Sequence, residues 1–191
     1  MFTSTACAPK KKNPFNREGI SLSNKLSRKL SRIGTMQVVF AMEHRGDFSM
    51  DVAESFFESV WEAHEVEEMY RHVFSEKKAA MRLESASDSP FAPDEKAYII
   101  DCVETIVENK EAIDKMIADH LKDGSIRRIS AVDLSILRVA VAEIMYHEDI
   151  APPISVNEAV DLAKMYSSSD SARFVNGVLG HIVREGGYES H

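Results

Sequence analysis

An all-helical fold, preceded by a flexible basic arm over residues 1–23, is what this sequence predicts, on three observations. Apolar residues recur at steps of three and four through most of the chain. No run shows the strict two-residue alternation of a half-buried strand. Capping residues, prolines and glycines fall where the periodic stretches end, which divides the chain into six or seven helices with no internal repeat.

Up to Ser23, Pro9, Pro14 and Gly19 are scattered among polar residues without periodicity, the pattern of an unstructured arm. From Asn24, Leu26, Leu30, Ile33, Gln37, Phe40 and Ala41 share one helical face, and Gly46 ends that helix. Gly34, Thr35, Val38 and Val39 are mediocre helix formers, so tertiary packing must hold it together. Ser49 and Asp51 can cap a second helix, in which Val52, Phe56 and Val60 form a stripe flanked by Phe57 and Trp61. The polar run Glu62–Glu68 continues as helix or loop, with Glu62, Glu65, Glu67 and Glu68 as a solvated face. Between Ser75 and Pro93 the pattern weakens, and residues 85–90, SASDSP, read as a linker.

Pro93, Asp94 and Glu95 open a long helix carrying Tyr98, Cys102, Ile106, Ile113 and Ile117, which Asp123 and Gly124 close. Ser130 to Asp133 begin the next, with Leu134, Leu137, Val141, Ile144 and Met145 on its buried side, and Pro152 and Pro153 enforce the break after it. Ser155 and Glu158 have the spacing of a capping box for a helix through Tyr166. Ser169 or Asp170 caps the last helix, whose apolar face holds Phe174, Val175, Val178, Leu179 and Ile182, up to Gly186 and Gly187.

Charge is divided along the chain. Residues 1–45 carry nine of the 23 lysines and arginines but two of the 31 acids, a local net of +7 within a total of −8, so the remainder is net −15. That polarity suggests two surfaces for two kinds of partner. Two cysteines, Cys7 and Cys102, give no disulfide framework and no CxxC pair, which fits a reducing, cytoplasmic setting. No stretch approaches the roughly 18 apolar residues of a membrane helix, and the start lacks the apolar core of a secretory leader. The seven histidines form no HExxH and no Cys/His cluster, and His64 and His72 have no nucleophile motif to serve, so neither a metal, a cofactor nor a catalytic residue is expected.

Three segments of the C-terminal half are specific: RRISAVDLSILRVAVAEIM from Arg127, DIAPPISVNEAVDLAKMY from Asp149, and SARFVNGVLG from Ser171. In order and spacing they resemble the NusB family, with its ILR-A-x-x-E, I-N-E-A-V-x-L-A-K and F-V-N-G-V-L helices. The resemblance runs over residues 24–184, firmly from 126 onward and loosely between 46 and 92. It implies two small helical bundles packed together, forming one RNA-binding unit over residues 24–191. It also implies a transcription antitermination factor that binds boxA-type leader RNA together with the ribosomal small-subunit protein acting as NusE, within the transcription elongation complex. Homodimerisation stays open.

The opening helix SRKLSRIGTMQVVF is similar to the family's arginine-rich start, which places Arg28, Lys29 and Arg32 on the RNA-binding run, Gln37 on a family glutamine and Phe40 on the usual tyrosine. Thr35 stands where the family prefers alanine, a departure that bears on RNA preference. Independently of the resemblance, Arg28 and Arg32 lie four apart beside Lys25 and Lys29, a spacing that can follow a phosphate backbone. Phe40, Gln37 and Arg173 are the groups available for stacking and base-edge contacts. The plainer readings are a solvated charged face for residues 25–32 and a core position for Phe40. Asn176 reads as a local hydrogen-bonding amide, Gly177 as a point of close helix approach, and Asn157 and Glu158 as capping residues. Glu143 and Tyr146 are the expected protein-partner contacts. The competing functions are a purely protein-binding helical module and the RNA-binding domain of an RNA methyltransferase, which needs a further cofactor-binding domain.

Overall fold

The computed structural model describes residues 22–59, 61–85 and 89–188, with the side chains of residues 22–26 and 85 outside that description. The arm up to residue 21, Val60 and linker residues 86–88 also lie outside the described residues. Among the described residues there are eight α-helices, one short 3-10 turn at Ile126–Arg128, and no strand. The helices are α1 (Leu22–Arg45), α2 (Met50–Phe57), α3 (Ala63–Val73), α4 (Glu76–Ser85), α5 (Pro93–Asp119), α6 (Ala131–Tyr146), α7 (Pro152–Tyr166) and α8 (Ser169–Glu185).

Helix α6 is the axis of the C-terminal group. Every residue from Asp133 to Tyr146 is buried, because α1, α5, α7 and α8 all pack against it. Helices α2 and α3 also contact α1, and α4 packs on α3, so α1 is shared by both groups. Two cross-links show that α1 runs antiparallel to α6: Arg32 meets Glu143 and Glu43 meets Arg138. Residues 30–36 of α1 are buried on every side. Gly34 makes the close approach of α1 to α5 possible, since a Cβ there would stand 2.5 Å from Ile99 Cδ1 and 2.9 Å from the Phe91 ring.

Several expected boundaries hold. Gly46 ends α1 at φ +66°, and Ser130 Oγ accepts from the Asp133 N–H at 3.1 Å to start α6. At the start of α5, the Glu95 carboxylate accepts from the Ala92 N–H at 2.8 Å. Others move for physical reasons. Residues 76–85 form α4 although their sequence has little apolar period, because Arg82 of α4 makes a bidentate pair with Glu95 at 2.8 and 2.7 Å. The capping box at Ser155 and Glu158 does not form. Helix α7 already begins at Pro152, with Ala151 as its cap, so Ser155 sits inside the helix with its hydroxyl on Glu143. Ser168 rather than Ser169 or Asp170 caps α8, accepting from the Ser171 N–H at 3.0 Å. Gly177 faces open space, with nothing within 4 Å of a built Cβ, so close helix approach is not its role. Phe174, expected on the apolar face of α8, is 37% exposed.

Candidate nucleic-acid interface

The basic run of α1 divides at the point where the helix enters the protein. Arg28 stays near the surface, 28% exposed, with Nη2 at 3.3 Å from Asp149 Oδ2 and its guanidinium 5.1 Å over the Tyr98 ring. Lys29 is half-buried beside it, and the side chain of Lys25 lies outside the described residues. Arg32, one turn further, is 5% exposed: its Nε and Nη2 donate to the two Glu143 oxygens at 2.8 and 3.2 Å. Its Nη1 also lies 3.7 Å from Glu158.

Glu143 is 1% exposed and accepts two further bonds, from Tyr98 Oη at 2.5 Å and Ser155 Oγ at 2.6 Å. Burial opposes ionisation of this carboxyl, but the adjacent Arg32 guanidinium and the hydroxyl donors overrule it and hold Glu143 below the usual carboxylate range. Burial also opposes the charge on Arg32, and Glu143 overrules it there, raising the guanidinium above its ordinary value. Tyr98 is pushed well up by burial and by the Glu143 charge, which keeps its hydroxyl a donor. Arg32 and Glu143, expected on an RNA face and a protein face, are thus engaged with each other in the core. Tyr146, also expected at a partner surface, is 7% exposed. Thr35 is fully buried, its hydroxyl donating to the Ser31 carbonyl at 2.9 Å, so this departure from the family pattern concerns packing.

At the far end of α1 the helix re-emerges. Phe40 is 37% exposed and lies parallel to the ring of His44 at 6.3 Å and 9°, a pair the sequence reading missed because it followed the tyrosine position alone. The exposed Arg45 follows. Gln37, half-buried one turn earlier, keeps its Oε1 buried without a hydrogen-bond partner. Arg28 and Phe40 are twelve residues apart, about 18 Å along the axis. The α1 candidates therefore form two ends near the surface, a partly buried cationic one and an exposed aromatic one, with an enclosed middle. Arg173 stands elsewhere, at the start of α8, 78% exposed and paired with Asp170.

The sequence profile described as the NusB family matches residues 55–184. The transcription antitermination protein NusB of Alkaliphilus oremlandii is 34% identical over 162 residues, covering 85% of this chain and 96% of that protein. The chain belongs to the NusB family. The NusB of Clostridium botulinum strain Hall is 50% identical over 86 residues, 45% of this chain and 60% of that protein. Among solved structures, T. maritima NusB superposes with a TM-score of 0.59 at 25% identity, covering 83% of this chain and 91% of that one. A structure of the antitermination factors NusB and NusE in complex with dsRNA gives 0.59 at 26% identity, covering 83% and 97%. The NusB profile begins at residue 55, downstream of α1, yet the glutamate of its ILR helix, Glu143, is the group that anchors Arg32 of α1.

Proposed function

We propose that this NusB-family chain is an RNA-binding transcription antitermination factor of the cytoplasm. It binds boxA-type leader RNA together with a NusE-type ribosomal small-subunit protein and promotes processive rRNA transcription, without making or breaking a covalent bond. The observation that carries this reading is the 34% identity to an antitermination protein over 96% of that protein's length. A solved NusB–NusE complex with dsRNA supports it, as do the cations of α1 that remain near the surface, Arg28 and Lys29. In this reading the cationic end of α1 follows phosphates, and Phe40 with His44 offers ring faces to bases. Arg173 contributes a further cation from α8, and Gln37 an amide beside Phe40. The buried Arg32–Glu143 pair acts indirectly, by fixing α1 on α6 and so setting the position of Arg28. Cys102 is fully buried with its thiol pushed up by burial, which suits a core residue and not a nucleophile.

Titration of a labelled boxA-type single strand at several salt concentrations tests the reading. The log–log slope is expected to be about −3 if four or five phosphates are neutralised. Replacing Arg28 and Lys29 together by alanine should reduce its magnitude by about 1.4, two contacts' worth. A flat slope, or one that the double variant leaves unchanged, overturns the assignment.

A further inference from the structure

A cation on which the RNA reading relies is already paired. Arg28 Nη2 donates to Asp149 Oδ2 at 3.3 Å, and Asp149 is its one carboxylate partner among the described residues. The other carboxylates near the start of α1 serve the core: Glu95 is bound by Arg82 and Ser27, and Glu143 by Arg32. Asp149 differs, because the guanidinium it holds borders solvent, 28% exposed, while its own side chain is 11% exposed.

Asp149 has little room to withdraw. It lies in the turn 147–151 between α6 and α7, where its neighbours His147 and Ile150 are buried and the Ile150 N–H donates to the His147 carbonyl at 3.2 Å. Nor is it the only restraint on Arg28. The guanidinium also lies 5.1 Å over the Tyr98 ring, and the Tyr98 hydroxyl is itself fixed on Glu143 at 2.5 Å. A phosphate that reaches Arg28 therefore meets a fixed like charge, while the order that Asp149 imposes on the guanidinium is largely supplied by Tyr98 already. Repulsion outweighs positioning.

We propose that Asp149 is a counter-charge that sets RNA affinity by competing with backbone phosphate for Arg28. The inference rests on the RNA reading above and deepens it. Phosphates carry no sequence information, so a carboxylate that opposes them weakens every strand by the same factor and leaves base contacts to decide which strand stays bound. On a chain whose first 45 residues are net +7, such a check limits the retention of unrelated RNA.

The test compares the full chain with Asp149→Asn, each titrated with a labelled boxA-type single strand and with a scrambled strand of the same length. The variant should bind both strands about threefold to tenfold more tightly at low salt, by one common factor that shrinks as salt is raised. In an Arg28→Ala background the same substitution should change affinity by less than about twofold. Unchanged binding, or an equal gain without Arg28, overturns the proposal. Weaker binding does so too, and would make Asp149 a residue that positions Arg28. In the unmodified chain the carboxyl carbon-13 signal of Asp149 should move on RNA addition, which keeps the test valid if Asp149→Asn does not fold; a static signal overturns the proposal. Inorganic tripolyphosphate separates the two readings where neither strand binds either protein. Tighter tripolyphosphate binding by Asp149→Asn would then leave the counter-charge standing and count against the antitermination reading alone, whereas equal binding would overturn both.

Discussion

Arg32 reaches Glu143 across 111 residues of chain, and Glu143 accepts from three different side chains at once. Such a buried pair adds little compared with an apolar core, but breaking it strands a charge. Arg32→Ala is therefore expected to cost about 3–5 kcal/mol, read from urea unfolding. Arg32→Met combined with Glu143→Gln should recover part of that loss, because the glutamine carbonyl still accepts from Tyr98 while its amide NH2 donates to the Ser155 hydroxyl. The same residues set the acid response. Glu143 and Asp114, the latter bound by Arg138 and Lys110, are both held below their ordinary values of 4.5 and 3.8. A depressed carboxylate stabilises the fold fully above its ordinary value, and that contribution is lost as pH falls through the lower, folded-state value. Unfolding free energy should drop steeply below about pH 4.5, and Glu143→Gln should make the drop shallower while lowering stability at neutral pH.

At the scale of elements, α1 and α8 give opposite answers to one substitution. Gly34→Ala places a methyl against Ile99 and the buried Phe91 ring, so overpacking of about 1–3 kcal/mol should exceed the helix-propensity gain. Gly177→Ala meets nothing and should raise stability by about 0.5–1 kcal/mol. Thermal unfolding of the two variants checks both signs. The helices legible in the sequence were those with a strong apolar period or a cap, namely α1, α2, α5, α6 and α8. Helix α4 escaped because Ala79 is its one fully buried apolar residue, and it is held by good helix formers and the Arg82–Glu95 pair. The start of α7 escaped because a Ser-x-x-Glu spacing looks the same inside a helix as at its end.

For the whole molecule, the antiparallel pairing of α1 with α6 puts a cationic end at Arg28, an aromatic end at Phe40, and an acidic cleft at the far end of α6. If the NusE-type protein and RNA share this chain as proposed, their coupling must be reciprocal. A partner that tightens boxA binding tenfold should itself be bound tenfold more tightly in the presence of boxA RNA, measurable by calorimetry in both orders of addition. A factor of one in both orders would mean that the two ligands bind this chain without coupling.

The sequence by itself determined the helical class, about half of the helix boundaries, the separation of basic and acidic segments, and the family. All of these follow from the order of neighbouring residues: period, caps and motif spacing. Which charges form surfaces was decided by the tertiary structure alone. Arg28 and Arg32 are one turn apart and alike by every local criterion, yet one borders solvent and the other is sealed against Glu143. The difference arises because residues 30–36 of α1 pass through the core, where a guanidinium is tolerated only opposite a carboxylate supplied by a distant helix.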